Sequence, residues 1–117
     1  MIEPLPVNPE VQRVIDAMED LKAVDVRDLD VAGVANFTDH MVFATGTSNR
    51  HVKAIAQAVI DAAREAGAPP LGVEGEEAGE WVLVDLGDVV AHIMLPETRD
   101  FYDIERLWRE QTGQDAD

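Results

Sequence analysis

Apolar positions along this chain change period several times, and each change marks an element. In "NPEVQRVIDAMEDLKA", Val11, Val14, Ile15, Met18 and Leu21 recur every three or four residues, which predicts one apolar stripe on a helix. Asn8 can cap it, Pro9 suits its first position, and Glu10 favours the positive end of its dipole. The next stretch, "AVDVRDLDVAG", alternates Val24 and Val26 with Asp25 and Arg27, as a half-exposed strand does. "HMVFAT" is a short continuous apolar run, consistent with a buried strand. A second helix follows, with Val52, Ile55, Ala56, Val59, Ile60 and Ala63 on one face. Thr47 or Ser48 can cap its start, Gly67 closes it, and "APPLG" forbids its continuation.

Beyond that, "VEGEEAGE" reads as a Gly- and Glu-rich loop. "WVLVDL" and "VVAHIM" are joined by Gly87-Asp88, the pattern of a β-hairpin. The last predicted element is one short amphipathic helix in "ETRDFYDIERLW". It carries Phe101, Ile104 and Trp108 on its apolar face and Tyr102, Glu105 and Arg109 opposite. The predicted order is α-β-β-α-β-β-α, a small mixed β-sheet flanked by helices in an α/β layer architecture.

The 117 residues are 46% hydrophobic, enough for one core, so a single domain over 1–117 is expected, with a polar, frayed tail from about 109. The formal net charge of −15 changes the picture more. A chain this acidic is repelled by phosphate backbones, so a basic protein is favoured as partner over nucleic acid, beside the simpler role of a solubilising surface. The absence of cysteine excludes disulfides, thiolate nucleophiles and Cys-based zinc sites. "MIEPLPVNPE" lacks the basic and apolar regions of a signal peptide, and no apolar run reaches the 18 residues of a membrane span. A soluble cytoplasmic protein is expected.

The stretch "TGTSNRHVKAI" (45–55) has the outline of a phosphate cradle, a strand, a glycine with hydroxyls, then a helix. It has one glycine, however, and Lys53 lies a turn inside the helix. The competing structural reading makes Gly46 the tight turn and Ser48 or Thr47 the cap. Nucleotidyl transfer needs converging carboxylates around magnesium. Asp39, Asp85 and Asp88 are available, but no two of them form an Asp-x-Asp or Asp-x-Glu pair on one strand. His40, His51 and His92 lie on separate elements with no His-x-x-x-His spacing, so no metal site is expected. A triad of Ser48, His51 and Asp39 or Asp85 lacks the Gly-x-Ser-x-Gly elbow. No catalytic residue and no cofactor are assigned.

Trp81 and Trp108 stand out in a chain only 5% aromatic, and each is either a core anchor or an interface hot spot. The run "EGEEAGEWVLVDLGDVVAHIMLPETRDFYDIERLW" (74–108), with "FTDHMVFATGTSNRHVKAIAQAV" (37–59), closely resembles the ribosomal silencing factor (Iojap-like) family. The resemblance covers more than half the chain. It implies a non-enzymatic protein that binds the large ribosomal subunit through its ribosomal protein number fourteen. Bound there, such a factor blocks joining of the small subunit and lowers translation in starvation. It further implies a nucleotidyltransferase-like fold without catalytic carboxylates, and a homodimer when free. The alternative is an enzyme of that fold using the 45–55 turn.

The family's exposed motif maps onto Trp81, Leu83, Asp85, Gly87, Asp88 and His92, and then onto Arg99, Tyr102, Glu105 and Trp108. The resemblance implies that Asp85, Asp88 and Glu105 pair with basic residues of the ribosomal protein, with Trp81 and Tyr102 as desolvated anchors. Gly46, Ser48 and Gly87 are read as structural turn residues. Departures from the family pattern are Leu86, Ala91 and His40, where an aromatic, a larger aliphatic and a tyrosine are common.

Overall fold

Helix α1 (Pro9–Asp20) starts as its capping residues dictate: Asn8 Oδ1 accepts from the amides of Glu10 (2.8 Å) and Val11 (3.3 Å). The computed structural model describes residues 8–113, so the readings of residues 1–7 and of the tail 114–117 lie outside it. After α1 come β1 (Val24–Asp30), β2 (His40–Thr45), α2 (Asn49–Glu65), β3 (Gly72–Glu74), β4 (Trp81–Asp85), β5 (Val89–Met94), α3 (Pro96–Tyr102) and α4 (Ile104–Thr112). The strands form one mixed sheet in the order β1-β2-β5-β4-β3. The central pair, β2 and β5, is parallel, and the other pairings are antiparallel. This is the expected mixed sheet flanked by helices in an α/β arrangement.

Side-chain alternation gives the sheet two unlike faces. Val42, Ala44, Val82, Val84, Ala91 and Ile93 point to one face and pack on Val11, Val14 and Met18 of α1 and on Val52, Ile55 and Val59 of α2. The other face carries Leu29, Met41, Phe43 and Met94, covered by Ile104 and Trp108 of α4 and flanked by Trp81. Strand β5 is buried along its whole length, as a central strand between two layers must be.

Three local expectations need correction. First, β1 does not alternate simply, because a bulge lies between Val24 and Arg27 and Asp25 adopts φ +54°. Val24 is thereby exposed, Val26 is half-buried, and Leu29 is the strand's buried residue. Second, Gly72–Glu74 forms an edge strand where only a loop was expected; three residues paired to Leu83–Asp85 are too short to show a period. Third, the last helix is two helices. Asp103, at φ +50° and ψ +41°, breaks it, a left-handed conformation that Asp tolerates better than most residues. Helix α4 then runs through Thr112, past the point where fraying was expected, to Gly113 at φ +75°. Among the described residues no helix is long and apolar enough to cross a membrane.

Gly46 holds the β2–α2 junction through close approach. A Cβ there would lie 2.7 Å from Val52 Cγ2 and 2.8 Å from the Val52 backbone nitrogen. Backbone cannot step aside cheaply, so Gly46→Ala should destabilise the chain by about 2–3 kcal/mol, measured as a lower urea midpoint at unchanged m-value.

Candidate functional site

In the 45–55 turn several polar groups serve the fold. The Gly46 amide donates to the Met94 carbonyl, the Thr47 amide to His51 Nδ1 (2.9 Å), and the His51 amide to Ser48 Oγ (3.1 Å). Ser48 is thus the cap, and the amides of Gly46, Thr47 and His51 serve the fold. With Nδ1 accepting, His51 carries its hydrogen on Nε2, which donates to the Leu21 carbonyl at 2.7 Å. That bond ties the start of α2 to the end of α1, a task no local sequence signal reveals. Asn49 likewise donates from Nδ2 to the carbonyls of Ala78 and Gly79, holding the acidic loop against the helix.

Of the carboxylates considered for magnesium, that of Asp85 is engaged in a turn, and the backbones of Asp39 and Asp88 serve strand geometry. Asp85 Oδ1 accepts from the Gly87 amide (2.9 Å), closing the hairpin in which Gly87 takes φ +90°. The Asp88 carbonyl accepts from the amides of Asp39 and His40, fixing the entry to β2. Among the described residues no three His, Cys, Asp or Glu side chains gather where they would hold a metal ion.

The opposite sheet face offers more. On β4, Trp81, Leu83 and Asp85 all point away from α1 and α2, and all are half-buried. His92 on β5 pairs in register with Leu83 and stacks on Phe43 of β2, ring centroids 4.8 Å apart at 11°. Trp81 Nε1 donates to His92 Nδ1 at 3.1 Å, and the Trp81 ring lies 5.1 Å from that of Tyr102 on α3. Phe101 meets Tyr102 edge-on at 5.0 Å. A chain of rings therefore runs from buried Phe43 and His92 through Trp81 to Tyr102, 56% exposed, and Phe101, 80% exposed.

Several expected contact residues sit differently from the exposed motif anticipated for them. His92 is only 5% exposed, and burial pushes its pKa down to about 4, so it is a neutral structural ring. Glu105, expected on an outward polar face, is only 9% exposed. Its Oε1 accepts from Arg99 Nε at 2.6 Å, while Arg99 Nη1 donates to Thr45 Oγ1 at 2.7 Å. The break at Asp103 turns Glu105 inward and Phe101 outward, reversing the faces expected of one continuous helix. Trp108 is half-buried, packing on the second core and edge-on to Phe37 at 6.0 Å. Asp88 is exposed, as a contact residue must be. Phe101 was absent from the expected contact set, because in one helix it would have faced the core.

The sequence profile described as "Ribosomal silencing factor during starvation" matches residues 5–117. The chain belongs to the ribosomal silencing factor family. A ribosomal silencing factor of Chromobacterium violaceum is 53% identical over 94 residues, covering 80% of this chain and 77% of the relative. One from Haemophilus influenzae is 38% identical over 98 residues, covering 84% and 96%. A crystal structure of a Chromobacterium violaceum protein superposes with a TM-score of 0.86 at 48% identity, covering 89% of this chain and 87% of the other. Membership in this family places the chain among ribosome-associated factors that silence translation.

Proposed function

We propose that the chain is a non-enzymatic translation repressor of the cytoplasm. It binds the large ribosomal subunit through ribosomal protein number fourteen, and the bound factor keeps the small subunit from joining. The observation that carries this reading is the ring series ending in exposed Tyr102 and Phe101 beside Leu83, Asp85 and Asp88. Large rings held by packing are the anchors of protein interfaces, and carboxylates around them select a basic partner. The net charge of −15 favours a basic ribosomal protein and disfavours bare ribosomal RNA. Glu105 leaves the contact set, since Arg99 already occupies it.

The anchors are Trp81 and Tyr102, with Leu83 between Trp81 and Asp85 on the strand. Trp108 supports the face through Phe37, and His92 supports it by fixing the indole. In the free protein the exposed Phe37, Phe101, Tyr102 and Leu107 supply the apolar surface for a homodimer.

Co-sedimentation with purified large subunits tests the surface. Tyr102→Ala, at an exposed position, should cost about 2 kcal/mol of binding, near thirtyfold in Kd, with an unchanged unfolding midpoint. Wild-type binding should weaken with added salt, and factor added before small subunits should prevent their joining. Equal sedimentation of wild type and Tyr102→Ala would remove this face from the contact.

A further inference from the structure

Helices α1 and α2 cover the sheet face opposite the ring series, and between them lies a groove of about 660 Å³. Its floor is made by Ala17, Leu21, Ala58 and Ala62. Three of these four are methyl side chains, so the valley between the helices stays unfilled. Its rims carry Asp16 and Asp20 on α1 and Asp61 and Glu65 on α2, all exposed. Each pair is spaced four residues apart, which sets both carboxylates on one helix face, one turn apart.

Among the described residues no ion pair engages any of these four carboxylates. Asp16 and Asp61 accept only from the amides of Gln12 and Gln57, one turn earlier on their own helices. Among the described residues lining the groove Arg13 is the one cation, so four carboxylates face one guanidinium, an excess of three negative charges. Like charges at this spacing cost helix stability without a structural return inside the chain.

We propose that this groove is a second docking surface, and that it takes a basic amphipathic helix of a partner protein. An apolar ridge on such a helix fills the alanine floor, while lysines and arginines on its flanks meet the two acidic rims. Helix α1 has 12 residues, about 18 Å of rim, which matches about three turns of a docked helix. The same charges argue against other occupants. A second copy brings another −15 against the rims, and nucleic acid brings phosphates. The groove and the ring series lie on opposite sides of one sheet, so both can be engaged at once. That last consequence rests on the reading of the ring series as the ribosomal contact; the groove itself does not.

The test is a titration of the full-length chain, labelled for amide NMR, with a synthetic 14-residue peptide. The peptide carries leucines at i, i+3, i+4 and i+7 and lysines on both flanks. Saturable one-to-one binding is expected, with shifts concentrated in residues 12–21 and 58–65. A peptide of the same composition in scrambled order should bind at least tenfold more weakly. Asp16→Lys with Asp61→Lys, at exposed positions, should lose binding, and Ala58→Trp should lose it by filling the floor. Should Ala58→Trp fail to fold, the double lysine variant still decides. Equal binding of the scrambled peptide, shifts spread over the Glu76–Glu77 loop, or an unaffected lysine variant would each overturn the proposal. Concentration-dependent shifts at the groove without peptide would overturn it in favour of self-association. Ribosome co-sedimentation is a separate measurement, so failure here leaves the ribosomal reading standing.

Discussion

Arg99→Met should lower the unfolding free energy by about 3–5 kcal/mol, a large share of the 5–15 kcal/mol typical of a domain. Arg99 and Glu105 are each 9% exposed, and the guanidinium binds Glu105 at 2.6 Å and the Thr45 hydroxyl at 2.7 Å. Removing the cation strands a carboxylate in a site with little water, and desolvation is then uncompensated. Glu105→Leu should cost a similar amount by stranding the guanidinium. Its Nη2 has no hydrogen-bond partner, and the ion pair with Asp25 at 3.9 Å is too long to replace the Glu105 bond in full. The double variant should be more stable than either single, since two apolar side chains pack without a stranded charge. Urea unfolding of the four proteins measures the coupling. Simple additivity would show that the pair does not act as a unit. The consequence reaches function, because this pair joins α3 to α4 across Asp103 and so sets where Tyr102 and Trp108 stand. All three variants should therefore bind large subunits more weakly than their loss of folded protein explains.

The same pair shows where the sequence was legible and where it was not. Capping at Asn8 and Ser48, the two helical stripes, the Gly87 hairpin and the buried β2 run depend on residues near one another in the chain, and each was readable. The split at Asp103 comes together with Arg99 reaching both Glu105 and Thr45, the latter 54 residues away, and periodicity carries no trace of such a contact. One continuous helix was therefore the natural expectation, and it placed Phe101 inward and Glu105 outward. The bulge at Asp25 is hidden for a similar reason: an alternating Val-Asp-Val-Arg pattern is equally compatible with a regular strand. At the 45–55 turn, composition suggested phosphate chemistry, and only the pairing of its amides with Met94, His51 and Ser48 shows where its hydrogen bonds go. Family resemblance pointed to the β4 strand and the last helical segment, but it did not separate the residues that touch solvent from those that hold them in place.

His92 gives the chain an acid-sensitive stability. Burial lowers its folded pKa from 6.5 to about 4, so the neutral ring is favoured in the folded chain. The unfolded chain then binds the extra proton between these two values, and stability rises with pH across that window. As pH falls from 6.5 to 4, this group should remove about 3 kcal/mol, at about 1.4 kcal/mol per unit. The geometry says what protonation breaks. Nδ1 accepts from Trp81 Nε1, and a proton placed there sets donor against donor, releasing the indole from its seat. His92→Gln keeps an acceptor in reach of Trp81 and cannot titrate. Its unfolding free energy should therefore change about 3 kcal/mol less than wild type between pH 6.5 and 4, whatever its absolute cost. Comparing slopes also cancels whatever the two proteins share, and Asp25, held below the usual carboxylate range by its hydrogen bond to Arg27, acts at lower pH. Identical slopes, or an NMR titration of the His92 ring near 6.5, would sink this argument. If it holds, large-subunit binding should weaken over the same range, because the ring that anchors Trp81 is the one that takes up the proton.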